Sequence, residues 1–324
     1  MRRPDGLPHI GVMNKKKGKP IMTNKIWDAL SQELAQTAEE AGKSVVAVYG
    51  GRHSASGVLL SGNSVVTVSH AVRRDEEVPV IIADGRRLTS RVAGRDPATD
   101  LVALRLESEI QFSEPRWITA PKLRVGELTL ALARTRRGNI VSSLGVISGL
   151  MSGPWRTGDG GELDQFIRPD LTMYPGFSGG PLLNSEGEFV GINTSGLHRA
   201  GITIPASTVT RIAGELLEKG GVERPYLGLA MQSVKLQESL RSKLNLTSGE
   251  ALLVVHVEPG SPAEKAGVLL GDALIDLGGK PVADTDSVQE VLRSIRIGGE
   301  LEASFIRGGS ARPTKLKLEA RPRR

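Results

Sequence analysis

The chain has no cysteine, few aromatic residues and no long apolar run, and each lack narrows what it can be. Without cysteine there is no disulfide, no thiol nucleophile and no thiolate-held metal. Phe, Trp and Tyr together make up 3% of the residues, so the cores must be built from Val, Leu, Ile and Ala. No stretch approaches the ~18 consecutive apolar residues of a spanning helix, and the amino end lacks the charged start and apolar run of a secretory signal. No membrane span and a cytoplasmic location are the expectations, with a periplasmic location if Met1 is not the true start; Met22 is an alternative start.

Cationic charge is also scarce where it would count for nucleic acid. The net charge is +6, but residues 1–21 carry +5, through Arg2, Arg3, Lys15, Lys16, Lys17 and Lys19 against Asp5, and residues 319–324 carry +2. The body between them is nearly neutral. Basic ends without interleaved aromatics read as solvated tails, and no nucleic-acid partner is expected.

What the chain does have is glycine and proline, 39 and 18 of them, over 324 residues. That length suggests two or three domains, and the turn residues favour strands over a helical bundle. After a Gly-, Pro- and Lys-rich start, Ile26, Leu30, Leu34 and Ala38 mark a helix over about 25–41, capped by Asn24 and left through Gly42. From Ser44 to about Thr203 short apolar runs follow one another without helices: Ser44–Val48, Gly57–Leu60, Val65–Val68, Val78–Ile82, Leu101–Leu106, Leu128–Ala133, Asn139–Gly149 and Phe189–Thr194. This grammar predicts an antiparallel barrel or sandwich. Met151–Leu163 has no period and reads as a loop. A second helix is expected over Ser207–Lys219, then a linker over Gly220–Pro225. The last hundred residues combine strands at Leu252–Val257, Leu274–Leu277, Leu301–Ile306 and Thr314–Leu318 with helices near Ala263–Ala266 and Thr285–Ile295.

One stretch carries chemistry: Met173-Tyr174-Pro175-Gly176-Phe177-Ser178-Gly179-Gly180-Pro181-Leu182. A serine is a poor nucleophile unless it sits on a tight turn, with free amides for an oxyanion and a base brought from elsewhere. Gly176, Gly179 and Gly180 permit such a turn, with the Gly176 and Ser178 amides facing a carbonyl. The plainer reading is a glycine-rich surface loop. Among the histidines His9, His53, His70, His198 and His256, only His70 ends an apolar strand, Val65–Val72, where it can stand at a barrel rim. Asp100 leads from a polar turn into Leu101–Leu106 and suits an acid that orients the imidazole. Taken singly, His70 reads as a structural residue and Asp100 as a turn residue; the order His70, Asp100, Ser178 is that of the chymotrypsin-like class.

With these motifs the sequence resembles the HtrA (Deg) family of serine proteases. Thr67–Val72, Asp96–Leu104 and Pro175–Asn184 carry the resemblance, together with Gly187–Thr194, Ile204–Ser207, Tyr226–Leu229 and Glu258–Gly267. The resemblance covers about residues 43–320. It implies a mainly β protein, a chymotrypsin-like double β-barrel followed by one PDZ domain. The implied divisions are a disordered basic tail (1–21), an N-terminal helix (22–42), the protease domain (43–221), the PDZ domain (222–320) and a basic tail (321–324).

The same resemblance implies roles. His70 would be the general base, Asp100 its orienting acid, Ser178 the nucleophile, and the Gly176 and Ser178 amides the oxyanion hole, with neither cofactor nor metal. Thr172, Thr194, Ser195 and Gly196 would line the specificity pocket, which lacks an Asp and should favour small or aliphatic side chains. Leu227, Gly228 and Leu229 would bind a peptide carboxylate. The implied partners are unfolded or misfolded polypeptides, peptide C-termini and two further copies in a homotrimer. Phe177 departs from the Asn common in the family. It motivates an alternative, a catalytically silent peptide-binding or chaperone-like pseudoprotease.

Overall fold

The sequence of short Val- and Leu-rich runs folds into two barrels and a third, smaller unit. The computed structural model describes residues 25–51, 54–120, 122–157, 160–198 and 201–320. The basic ends, the Asn24 cap, His9 and His53 lie outside the described residues. Helix α1 (Lys25–Gly42) lays Leu34 and Ala38 on the barrels. Gly42 lets it close on Ile140, whose side chain lies 2.9 Å from where a Cβ would be. At its other end Ile26 and Trp27 are 76% and 66% exposed.

The first barrel closes β1 (Val45–Val48), β2 (Ala55–Ser61), β3 (Ser64–Val68), β4 (Val78–Ile81), β5 (Arg87–Asp96) and β6 (Leu101–Leu106) in the order β1-β2-β3-β6-β5-β4. Its strands β1, β3 and β6 are apolar on both faces for a geometric reason. Alternate residues of a strand point to opposite sides: Val46, Val48, Val65, Val102 and Leu104 fill the barrel, while Val45, Val66, Val68, Leu101 and Ala103 face the second barrel. That second barrel uses β7 (Leu128–Arg134) and β8 (Ile140–Met151). A short hairpin, β9 (Trp155–Arg156) and β10 (Glu162–Leu163), leads to β11 (Phe166–Asp170), β12 (Pro181–Leu183), β13 (Phe189–Thr194) and β14 (Ile202–Pro205). The barrel order is β11-β14-β13-β12-β7-β8.

Met151–Leu163 is therefore not all loop. Trp155 stacks at a tilt on Phe166, 5.3 Å between centroids, giving the hairpin an anchor without apolar periodicity. Helix α2 (Ala206–Lys219) returns across the first barrel and comes so close at Gly94 that a Cβ there would lie 2.4 Å from the Leu216 carbonyl. It ends on Gly220 in the left-handed region, φ 74°, the usual helix exit.

In the third unit β15 (Pro225–Tyr226) pairs with a terminal strand, and β16 (Leu229–Lys235) edges a sheet. After α3 (Glu238–Lys243) and β17 (Glu250–Val257) come α4 (Pro262–Lys265), β18 (Ala273–Leu277) and β19 (Lys280–Pro281). Helix α5 (Thr285–Arg293), β20 (Glu300–Arg307), β21 (Ser310–Lys317) and β22 (Glu319–Ala320) complete it. The sheet order is β16-β17-β18-β20-β21, with β19 on β18. Among the described residues no helix is long and apolar enough to cross a membrane.

Candidate active site

The site lies between the barrels because both contribute a loop to the same seam. β3 ends in a single 3-10 turn, Ser69–Ala71, that carries His70. The turn before β6 folds back on it: the Ser69 amide donates to the Asp100 carbonyl at 2.9 Å, and the His70 amide to Asp100 Oδ1 at 2.9 Å. The His70 imidazole meets Asp100 Oδ2 through Nδ1 at 2.8 Å. An ionised carboxylate only accepts, so Nδ1 carries the proton and Nε2 is left as an acceptor. The Asp100 hydrogen bond raises the His70 pKa above the ordinary histidine value, against a smaller lowering by burial.

Ser178 comes from the second barrel on two consecutive turns. Tyr174-Pro175-Gly176-Phe177 is closed by the Phe177 amide on the Tyr174 carbonyl at 3.1 Å, with Gly176 at φ 101°. Proline second and glycine third with positive φ is the residue pattern of a type II turn. The next turn closes from the Gly180 amide to the Phe177 carbonyl at 3.0 Å. Here glycine is required by space: a Cβ on Gly179 would lie 2.0 Å from the Ser56 carbonyl, and one on Gly180 2.1 Å from that of Leu132. Ser56, in the first barrel, holds the loop from the other side. Its amide donates to the Ser178 carbonyl at 2.9 Å and its hydroxyl to the Gly176 carbonyl at 2.7 Å.

His70, Ser178 and Ser195 line one cleft of about 440 Å³, walled by Met173 and Tyr174. The Ser178 hydroxyl is 3.2 Å from that of Ser195. Phe177, the residue beside the nucleophile, is 1% exposed and packs among Ala131, Ile147, Ile167 and Val190 inside the second barrel. Its ring supports the loop from beneath and takes no part in the cleft.

The four residues expected in the specificity pocket separate. Ser195 lines the cleft. Thr194 is fully buried, and its hydroxyl accepts from the Gly196 amide at 2.9 Å and donates to Asp100 Oδ2. Gly196 lies over the histidine–aspartate pair: a Cβ there would be 2.5 Å from Asp100 Oδ2 and 2.7 Å from His70 Nδ1. Thr172 is exposed and stands outside the cleft lining, whose wall is Met173 and Tyr174 instead. Two seam residues are given no role by the sequence, Ser56 and Thr67, the latter donating to the Ser56 carbonyl at 2.5 Å. Nothing in a strand of small residues marks such roles.

In the third unit Gly228 sits at φ 77°, and a Cβ there would lie 2.1 Å from Ser261 Cβ. The carbonyls of Leu227 and Gly228 accept from Ala263 and Glu258 at 3.0 and 2.8 Å, so the loop is fixed by its carbonyls. Leu229 opens β16, an outermost strand of the sheet, whose far edge pairs with no other strand among the described residues. Val288, Val291 and Leu292 of α5 are buried in the core below.

Two barrels with a serine, a histidine and a buried aspartate on their seam define the trypsin-like class of peptidase fold. Residues 55–192 match the family model of the trypsin-like peptidase domain, and residues 225–318 that of the PDZ domain. The chain is 30% identical over 264 residues to the putative serine protease HhoA of Synechocystis, covering 78% of this chain and 67% of that protein. It is 31% identical over 286 residues to the serine protease Do-like HtrA of Bacillus subtilis, covering 82% and 63%. With the periplasmic serine endoprotease DegP of Escherichia coli it shares 30% over 275 residues, covering 82% and 56%. A crystal structure of the serine endoprotease from Yersinia pestis has the same fold, with TM-score 0.68, 24% identity, and coverage of 89% of this chain and 98% of that one. The chain belongs to the HtrA family of serine proteases. It spans between 54% and 67% of the length of the curated relatives it matches.

Proposed function

We propose that the chain is an ATP-independent serine endopeptidase acting on unfolded or misfolded polypeptides, with the PDZ domain taking peptide C-termini. The division into a protease domain over 43–221 and a PDZ domain over 222–320 belongs to the same reading. The observation that carries it is the Nδ1-paired His70 sharing one cleft with Ser178. In the first step His70 Nε2 takes the Ser178 proton as Oγ bonds to the scissile carbonyl carbon. The Gly176 and Ser178 amides stabilise the oxyanion, and imidazolium is stabilised by Asp100. His70 then gives the proton to the leaving amine, and water, activated by the same imidazole, hydrolyses the ester. Phe177, packed below the loop, withdraws nothing from the cleft, which supports an enzyme over a silent peptide binder.

Wild type is expected to degrade an unfolded protein, while Ser178→Ala loses several orders of magnitude in rate. Equal cleavage by both would sink the reading. We also propose a homotrimer, with the exposed Ile26 and Trp27 end of α1 as an assembly element. Removing residues 1–42 should lower the number of copies per particle measured by sedimentation equilibrium; an unchanged number excludes the helix from assembly.

A further inference from the structure

The catalytic cleft does not end at Gly176. A second cavity of about 400 Å³ shares Ser54, Pro175 and Gly176 with it and runs along the turn between β7 and β8. Arginines line the continuous groove, Arg73 in the cleft and Arg134, Arg136 and Arg137 in the extension, and among the described residues no carboxylate lines either part. The bland reading is scattered surface charge, since an exposed arginine is ordinary.

Three observations distinguish this cluster. First, the turn presents its arginines from a fixed backbone. The Thr135 amide donates to the Asn139 carbonyl at 2.8 Å, the Gly138 amide to the Thr135 carbonyl at 2.9 Å, and the Asn139 amide to the Thr135 hydroxyl at 3.2 Å. Second, the guanidinium of Arg136 lies over the Tyr49 ring, 4.9 Å from its centroid, a contact that favours one placement of the cation. Third, Arg134 is buried with its guanidinium on the carbonyls of Val45, Gly42 and Gly138. Those bonds hold the guanidinium through carbonyls alone, with no ion pair among the described residues, and the carboxylate that acts on its charge, Asp84, is itself paired with Arg86. Neighbouring carboxylates are engaged elsewhere, Asp84 with Arg86 and Asp75 with Arg95. Among the described residues Arg73, Arg136 and Arg137 are in no ion pair.

We propose that this groove binds the substrate segment that follows the cleaved bond and selects Asp or Glu there. The inference rests on the peptidase reading above. The side belongs to that same reading: with the oxyanion on the Gly176 amide, the arginine turn extends from Gly176, while Ser195 lines the cleft and no part of the extension. Arginine forks match carboxylates in paired hydrogen bonds. A groove lined by one sign of charge also concentrates ligands of the other.

The test uses the full chain and quenched-fluorescent peptides identical up to the scissile bond, with Glu-Glu, Gln-Gln or Lys-Lys at the second and third positions after it. Glu-Glu should exceed Gln-Gln in kcat/KM by about tenfold at low salt, and the ratio should shrink as salt screens the exposed arginines. In the double variant Arg136→Gln, Arg137→Gln the ratio should fall near one, and in Arg136→Glu, Arg137→Glu below one, with Lys-Lys now preferred. Arg134 is left intact because it holds three backbone carbonyls. Equal cleavage of Glu-Glu and Gln-Gln by wild type, or a ratio unmoved by charge reversal, overturns the groove while leaving the peptidase reading standing.

If wild type cuts none of the peptides, the peptidase reading fails separately. Binding of the same labelled peptides to Ser178→Ala then decides the groove. Tighter binding of Glu-Glu, lost on charge reversal, upholds it, and equal binding overturns it. Displacement of the Glu-Glu peptide by single-stranded DNA at lower concentration than by unlabelled peptide would also overturn it, in favour of a nucleic acid.

Discussion

Asp100 adopts φ 57°, a left-handed conformation that few residues other than glycine occupy. Holding it there costs on the order of 1–3 kcal/mol, offset by the donors that converge on its carboxylate: the His70 amide, His70 Nδ1 and the Thr194 hydroxyl. The same carboxylate raises the His70 pKa, which sets a sign for pH. The base must be neutral to accept a proton, so kcat/KM should rise with pH through a midpoint above the ~6.5 of an ordinary histidine. For stability the sign is opposite. The protonated His70–Asp100 pair stabilises the fold below the unfolded-state pKa, and that contribution is lost as pH rises through the folded-state pKa. Asp100→Asn should lower kcat roughly 10⁴-fold, by the magnitude for this kind of triad. An ascending limb centred below 6.5 in wild type would contradict the assignment of His70 as base.

Residue identity was readable where chemistry restricts it and unreadable where geometry does. His70 and Asp100 are ordinary taken singly, a strand-end histidine and a turn carboxylate; they are legible because they precede a serine among glycines in the chymotrypsin-like order. The family resemblance implies a pocket role for Thr194, the last residue of β13. A buried threonine hydroxyl looks the same in sequence whether it faces a pocket or a carboxylate. Phe177 invites a functional reading because it replaces a polar residue of the family, yet its ring is buried in the second-barrel core rather than in the cleft.

Elements followed the apolar runs closely where both faces are buried. Leu101–Leu106 and Phe189–Thr194 coincide with β6 and β13, since each lies between a barrel interior and a second packed surface. β5 gave no such run. Arg87, Arg91 and Arg95 recur along it, and only Ser90, Gly94 and Asp96 are buried, so it reads as polar chain. β12 and β14 are three and four residues long, too short for an apolar run to stand out, and β12 follows directly on the glycine loop. The serine loop is the element most tightly specified, because its glycines touch backbone from two barrels. Gly179→Ala should disrupt the loop through the clash with Ser56 and oppose φ 84°. We expect reaction of Ser178 with an organophosphate to slow at least a hundredfold while circular dichroism keeps its strand signal. Normal reactivity would show that the approach of Ser56 is not limiting.

At the scale of the molecule, the site exists only because segments far apart in the chain meet on one seam, which no local pattern in the sequence displays. The same holds for the ties between the protease barrels and the PDZ unit. Arg224, in a stretch that reads as a linker, grips Asp96 through two hydrogen bonds of 2.6 and 2.8 Å, and Asp96 is 3% exposed beside the Asp100 turn. The β9–β10 hairpin touches α5 through Arg156 on the Asp286 carbonyl at 3.3 Å and through the Glu162–Arg293 ion pair. Fold class was legible because apolar runs and turn residues recur; these cross-chain ties were not, because a single arginine or glutamate carries no periodicity.

The central claim is that Ser178 is a nucleophile activated by His70 on a formed oxyanion loop. A fluorophosphonate probe tests it most directly, with the labelled peptide located by mass spectrometry. Wild type should carry stoichiometric label on Ser178, and His70→Ala should lose it. A folded wild-type protein that takes up no label at Ser178, or a His70→Ala variant labelled as fast as wild type, would contradict it.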